Sequence, residues 1–434
     1  MTGRAPTVVF FPEGAFGPTN NCIGIADVLR DRGMRVVFVI EESFKGTLKA
    51  RGFEEQLMRL KPRPAIEEAP GQFWKDFIRD TAPEFRKATL EQIDTLIRPI
   101  WSELISGSIY VDARLSEIFA AVGPDVIVQD NVVAFGAVTR AGTPWVRILS
   151  CNPLEMDDPG LPPALSGLDS DNRVEWERFR RVYRDSHAAL QGEFSGYLQD
   201  SGAAPLPDGA FMYESPYLNL YNYPGDLDYQ RSKPLNDTWH RLESCVRTTD
   251  GPLRIPPRIP GEKLIYLSLG SLGSADVGLM NRLIEMLAGS DYRLIVSKGP
   301  QHEEIRLAGD MWGQEFLPQT TLLPLVDLVI THGGNNTVTE SLYFGKPMIV
   351  LPLFWDQQDN AQRVHEADIG VRLDPYRCTQ DELLGSIRAL LANDALGTRL
   401  RNLSQRLQRE PGTRRAAALI EGLARSRAPI RRST

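Results

Sequence analysis

The sequence predicts two α/β domains, each a doubly wound parallel sheet, facing one another across a cleft. Three observations predict it. Short β-branched runs alternate with segments of helical spacing in both halves of the chain. The alternation stops at a proline-rich strap, "VRTTDGPLRIPPRIPGEK" at 246–263, and then restarts. The length of 434 residues exceeds what one core sustains, since single cores stop growing at roughly 250 to 300 residues. These give an N-terminal domain at 1–245, a linker at 246–263, a C-terminal domain at 264–412, and a C-terminal helix and tail at 413–434.

In chain order, "TVVFF" at 7–11 and "RVVFVI" at 35–40 bracket the loop "PEGAFGPTNNC" and a helical segment, forming a first βαβ unit. "DVIVQD" at 125–130, "WVRIL" at 145–149 and "YLNLYNY" at 217–223 read as further strands, with an amphipathic segment at 82–97 and a long charged helix at roughly 172–200. "SCNPLEMDDPGLPPALSGLDSDN" at 150–172 has four prolines and little periodicity, the mark of a lid or substrate-side loop, or of a solvated connector. Beyond the strap come "LIYLSLG" at 264–270, "YRLIVS" at 292–297, "DLVIT" at 327–331 and "MIVLPLF" at 348–354. Ligands of doubly wound sheets bind at the C-terminal ends of the strands, which places the site between the halves. The basic end "RSRAPIRRST" reads as a frayed tail.

The net charge of −7 gives no electrostatic reason to bind nucleic acid and favours a small-molecule partner. The four cysteines are far apart, without CxxC or histidines at ligand spacing, so neither a disulfide framework nor a zinc site is indicated. No apolar run reaches membrane-span length, and the N-terminal apolar run is too short for a signal peptide. The expectation is a cytoplasmic protein.

The chemistry concentrates in "DLVITHGGNNTVTESLYFGKPMIVLPLFWDQQDNAQRV" at 327–364. A strand ends at Thr331, Gly333 and Gly334 allow close backbone approach, and a helix opens near Asn335 with uncapped N–H groups, which makes an anion site. Asn336 and Thr337 add side-chain donors, and His332 is placed to donate to a phosphate oxygen. Glu340, one turn on, suits two ribose hydroxyls; Asp356 and Gln357, after the next strand, suit a second polyol. Phosphate, ribose and sugar contacts in that order suggest a nucleotide-sugar.

This run, with "FLPQ" at 316–319 upstream, resembles the donor-binding signature of the UDP-glycosyltransferases, glycosyltransferase family 1. The resemblance implies the GT-B architecture, two Rossmann-like doubly wound parallel-sheet domains facing a cleft. It implies Phe316 stacking on uracil where tryptophan is commoner, and Gln319 near the base or ribose. His332, Asn336 and Thr337 fall on the pyrophosphate, Ser271 of "SLGS" on phosphate, Glu340 on ribose, and Asp356 with Gln357 on the sugar hydroxyls. It implies a UDP-sugar co-substrate, UDP-glucose first, with other hexoses and a thymidine carrier open. No cofactor and no metal are expected: "DLD" at 226–228 matches a manganese motif of a different glycosyltransferase fold and reads here as a turn after Pro224 and Gly225.

The family's first loop ends in a Gly-His pair whose histidine deprotonates the acceptor, helped by an aspartate. Here that position falls on Pro18, after Gly17, and no histidine precedes His187; the aspartate is retained as Asp130. A missing general base costs about 10² to 10⁴ in rate. Three answers stay open: Asp130 as base, directly or through water; Glu13 reaching in from the loop; or an acceptor, such as an acidic phenol, a thiol or an amine, that needs little help. Asn20 and Asn21 are candidates to orient the acceptor, with N-capping the alternative role for Asn20. Phe16, Gly17, Phe73 and Trp74, with "RPIW" at 98–101 and the loop 150–172, are candidates for an acceptor pocket suited to a partly apolar molecule. The resulting reading is an inverting, metal-independent hexosyltransferase acting on a phenolic, polyketide or amine natural product. A GT-B epimerase or hydrolase, or a non-catalytic nucleotide-sugar-binding auxiliary protein, are the competing readings. An NAD-linked dehydrogenase is not supported, because glycines 14, 17 and 24 do not fit GxGxxG.

Overall fold

The computed structural model describes residues 4–62, 79–247 and 251–432. Seven parallel strands form the N-terminal sheet: β1 (Thr7–Pro12), β2 (Arg35–Glu41), β3 (Glu54–Met58), β4 (Val126–Asp130), β5 (Trp145–Leu149), β6 (Leu218–Asn222) and β7 (Trp239–Leu242), in the order 3-2-1-4-5-6-7. Six parallel strands form the second: β8 (Lys263–Ser268), β9 (Tyr292–Ser297), β10 (Trp312–Gln314), β11 (Leu328–Thr331), β12 (Met348–Val350) and β13 (Gly370–Arg372), in the order 10-9-8-11-12-13. In each sheet the first strand pairs on both sides, Val8 with Val36 and Val126 in one and Tyr266 with Ile295 and Val329 in the other, so both sheets reverse direction there. The two loops that leave these points open the cleft.

The central strands are continuous apolar runs because both their faces are covered. Val8 and Phe10 join one core cluster and Val9 and Phe11 the other. Helix α1 (Phe16–Asp31) buries Cys22, Ile25, Ala26 and Leu29, an i, i+3, i+4, i+7 stripe, against the first of these. Helix α2 (Arg98–Val122) covers the other face. The segment expected as one amphipathic helix at 82–97 is instead a 3₁₀ turn, Ala82–Arg86, then an α turn and a π turn, Ile93–Ile97, that runs into α2. Pro99 lacks an N–H and cannot close the regular ladder, which accounts for the wide turn before it. Helix α3 (Arg173–Asp200) is capped by Asn172, whose side chain accepts from the Glu175 N–H.

On the C-terminal side, helix α4 (Asn335–Tyr343) follows β11 and helix α5 (Gln357–Glu366) follows β12. Strand β12 ends at Val350, so the run expected to continue to Phe354 turns at Pro352 into the loop that carries Asp356. Helix α6 (Gly412–Ser426) then crosses back. Its Ala416, Ala417, Ile420, Leu423 and Ala424 are buried in the same cluster as Cys22 and Leu29 of α1, so this helix completes the N-terminal core. Outgoing and returning crossings touch: a Cβ on Gly412 would stand 1.9 Å from the Ser244 carbonyl.

Two expectations are corrected. The basic end is not frayed: the Ile430 N–H donates to the Tyr217 carbonyl at 2.9 Å, and Arg431 holds both carboxylate oxygens of Asp237 at 2.7 and 2.8 Å. The loop 150–172 is not a solvated connector. The Leu165 and Gly167 N–H groups donate to Asp359 at 2.6 and 2.8 Å, and Ser170 donates to Glu366, fastening the loop to α5 of the other domain. Phe73 and Trp74 lie outside the described residues.

Because Ile420 is fully buried where α6 meets α1, Ile420→Ala is expected to lower stability by about 2–5 kcal/mol. Urea denaturation followed by circular dichroism measures it, and a change below about 1 kcal/mol contradicts the docking of α6.

Candidate active site

One cavity of ≈ 680 Å³ lies between the domains, within the size range of small-molecule sites. On its C-terminal wall α4 begins at Asn335 with Gly334 as N-cap and no side-chain cap, so its first N–H groups face the cavity unclaimed by a side chain. The His332 ring lies between two glycines: a Cβ on Gly270 or Gly334 would come within 2.6 or 2.5 Å of it. Gly270 also has φ +72°, so glycine is required there on two counts. Burial lowers the His332 pKa to about 4, so the imidazole is neutral at pH 7 and meets an anion as a hydrogen-bond donor. Ser271, in the turn after β8, lines the same wall.

The residues expected at the nucleoside are already joined to one another. Gln319 donates to Glu340 at 2.6 Å and to the Thr337 hydroxyl at 3.3 Å, and Arg247, from the linker, pairs with the other Glu340 oxygen at 2.7 Å. Phe316 is about half exposed in the cavity lining, and its ring lies 6.1 Å from that of Phe16 of the opposite domain. At the sugar end, Gln357 accepts from the Leu353 and Phe354 N–H groups through Oε1, which turns its amide N–H₂ to the cavity. One Asp356 oxygen accepts from the Asn152 N–H at 3.1 Å and from Asn360 at 3.2 Å; burial raises its pKa to about 7. Trp355 has φ +58°, strained for a non-glycine residue, and its ring packs on Trp101 of the N-terminal domain at 5.2 Å.

Asn336, expected to hold pyrophosphate, and its neighbour Asn335 both use their side chains across the domains. Asn336 donates to the Gly17 carbonyl at 2.9 Å and accepts from Asn21 at 2.9 Å, and Asn335 donates to the Ser150 and Asn222 carbonyls at 2.7 and 3.0 Å. Their amides hold the domains together, while the backbone of α4 keeps the anion site. Asn21 is accordingly buried and does not line the cavity. Asn20 does line it, and it lies inside α1 rather than at the N-cap, which is Ala15. Pro18, Phe16 and Gly17 line it as well.

The two candidate bases, Asp130 and Glu13, are placed differently. Asp130 is buried and does not line the cavity; it accepts from the Ser150 hydroxyl at 2.8 Å, and Ser150 stands between it and the open space. Glu13 does line the cavity. Burial, then the charges of Glu41, Glu155 and Asp356, raise its pKa to about 7. Glu41 lies behind it: a Cβ on Gly14 would fall 2.0 Å from the Glu41 carboxylate, so Gly14 lets that carboxyl pack against the loop. Ile100, from the expected "RPIW" segment, forms an apolar side of the cavity with Leu104, Val132, Phe354 and Trp355, which sequence reading does not single out. The DLD carboxylates are engaged elsewhere: Asp226 pairs with Arg406, and Asp228 accepts from Tyr221 and Arg241.

Residues 265–412 match the family model described as UDP-glucoronosyl and UDP-glucosyl transferase. The C-terminal domain belongs to that family. The oleandomycin glycosyltransferase of Streptomyces antibioticus is 24% identical over 95% of this chain and 90% of its own. Among solved structures, the glycotransferase of kitacinnamycin superposes with a TM-score of 0.69 at 22% identity, over 96% of this chain and 99% of that one. The glycosyltransferase VinC, in complex with dTDP, superposes with a TM-score of 0.64 at 17% identity, over 97% and 100%. Both share the GT-B fold found here, two parallel-sheet domains facing a cleft. No helix among the described residues is long and apolar enough to cross a membrane.

Glu41 is held in a buried site that favours its neutral form, with a pKa raised to about 7. A raised carboxyl binds its proton more tightly folded than unfolded, so its contribution to stability is full below about pH 4.5 and declines as pH rises through about 7. Glu41→Gln should therefore gain about 1–3 kcal/mol over the native chain at pH 8 and no such gain at pH 4, in urea titrations at both values. An equal effect at both pH values contradicts the buried carboxyl.

Proposed function

We propose that this chain is a glycosyltransferase that moves a hexose, glucose first, from a uridine diphosphate carrier to a phenolic, polyketide or amine natural product, with inversion and without a metal. The observation that carries the reading is the opposition of Glu13 to the donor wall across one cavity. The acceptor oxygen attacks the anomeric carbon, the bond from that carbon to the diphosphate oxygen breaks, and the acceptor proton passes to the Glu13 carboxylate. Attack from the N-terminal side and departure toward α4 lie on opposite faces of the sugar, which inverts the centre. The leaving diphosphate is met by the α4 N-terminus and neutral His332.

A carboxyl with pKa about 7 suits a base working near neutral pH, since the ionised fraction and proton affinity are balanced there. The apolar side formed by Ile100, Leu104 and Trp355 suits an aromatic or macrocyclic acceptor. The natural-product context of the oleandomycin and kitacinnamycin enzymes supports the same acceptor class. The VinC complex makes a thymidine carrier the comparison to run beside uridine.

The test mixes the protein with UDP-glucose or TDP-glucose and a panel of phenols, amines and macrocycles, and follows nucleotide release and product mass. Acceptor-dependent release is expected; none with any sugar overturns the reading. Glu13→Gln should lower turnover by about 10² to 10⁴, whereas Asp130→Asn, behind Ser150, should lower it far less. The wild-type rate should fall as pH drops below about 7, where Glu13 takes up its proton. Glu41→Gln, which removes a neighbouring charge, should move that limb to lower pH. Unchanged turnover in Glu13→Gln removes Glu13 from the chemistry.

A further inference from the structure

Among the described residues, the cavity is lined by four carboxyl side chains, Glu13, Glu103, Glu340 and Asp356, against two guanidinium groups, Arg51 and Arg247. His332 adds no charge at pH 7. A nucleoside diphosphate brings at least two negative charges into this surplus of acid. The α4 N-terminus offsets about half a charge. A cation must do the rest, and position separates the two candidates. Arg51, in the N-terminal domain, acts on the Asp27 carboxyl, whereas the Arg247 side chain is about 10% exposed and bonded to the carboxylate expected to hold the ribose.

The backbone of Arg247 is fixed as tightly as its side chain. A Cβ on Gly24 of α1 would meet the Arg247 Cα at 3.4 Å and the Thr413 methyl at 3.1 Å, so α1, the linker and the returning chain converge on this residue. The side chain leaves that junction for Glu340, one turn beyond the α4 N-terminus. It thus lines the cavity at the end held by Glu340, a residue of the helix whose N-terminus forms the expected anion site.

Resting on the reading that this cavity takes a nucleoside diphosphate, we propose that Arg247 is a ligand of the phosphate next to the ribose, supplied by the linker rather than by either domain. A guanidinium presents five N–H donors in a planar fork, so it holds a carboxylate and a phosphate oxygen together. Glu340 is then both its counter-ion and the acceptor for ribose. The linker becomes part of the donor site, and donor binding acts on the junction of the two crossings.

Calorimetric titration of the full chain with UDP, UMP and uridine tests this. Arg247→Gln is expected to weaken UDP and UMP at least ten-fold and uridine less than three-fold. Arg247→Lys, which keeps the charge without the fork, should give an intermediate loss for UDP and leave uridine unchanged. Glu340→Gln should weaken all three by a similar factor. Equal losses for uridine and UDP in both Arg247 variants, or no loss in either, overturn the proposal. Failure of the folded wild-type chain to bind UDP or TDP overturns the functional reading instead.

Discussion

The cleft depends on two adjacent asparagines at the start of one helix. Asn335 and Asn336 occupy the first turn of α4, where side-chain amides and unclaimed backbone N–H groups are crowded together. The amides cross to the other domain, to the carbonyls of Ser150, Asn222 and Gly17 and to Asn21. The backbone groups stay with the cavity. One short segment therefore both joins the domains and turns its backbone N–H groups to the cavity, and Gly17 and Ser150 of the N-terminal wall are positioned by it. The fastening of Asn152 to Asp356 and of Leu165 and Gly167 to Asp359 repeats the arrangement at the sugar end.

Burial sets the electrostatics of that cavity. Glu13, Glu41 and Asp356 are all held near neutrality by lost hydration, and each raises the local cost of ionising another where they are close, as Glu41 and Asp356 do for Glu13. His332 is moved the other way by the same cause. These shifts reduce the acidic surplus of the lining at neutral pH without cancelling it. The lining also retains a carboxyl that ionises near neutral pH, in the loop where a proline stands at the position the family resemblance gives to histidine.

Both sheets and the donor wall were legible because their signals are local. Buried central strands are unbroken apolar runs, and the run from His332 to Gln357 sits on a strand end, a helix start and a second strand end in sequence order. The strands that escaped notice, β3, β7, β10 and β13, are the four sheet edges, short or polar, as edges are when they must not pair with another chain. The roles that shifted depend on three-dimensional facts with no local sign. Nothing beside Asp130 announces that Ser150 will stand in front of it, nothing in "PEGAF" shows that Glu41 will pack against Gly14, and Arg247 sits in a linker whose composition argues only for a connector. Asn336 matched the phosphate position of the family pattern, yet its amide is used across the interface because α1 lies within reach.

The return of α6 to the N-terminal core has a consequence for synthesis. Topologically the C-terminal domain is an insertion between β7 and the last helix of the N-terminal domain. As the chain leaves the ribosome, the apolar stripe of α1 around Cys22, Ile25 and Leu29 remains without its partner until Ile420 and Leu423 have been made, which comes after the whole second domain. Domains generally fold as units in order of synthesis. Here the first domain to be made is the last to be finished, so the second domain must fold while the first is still open on one face.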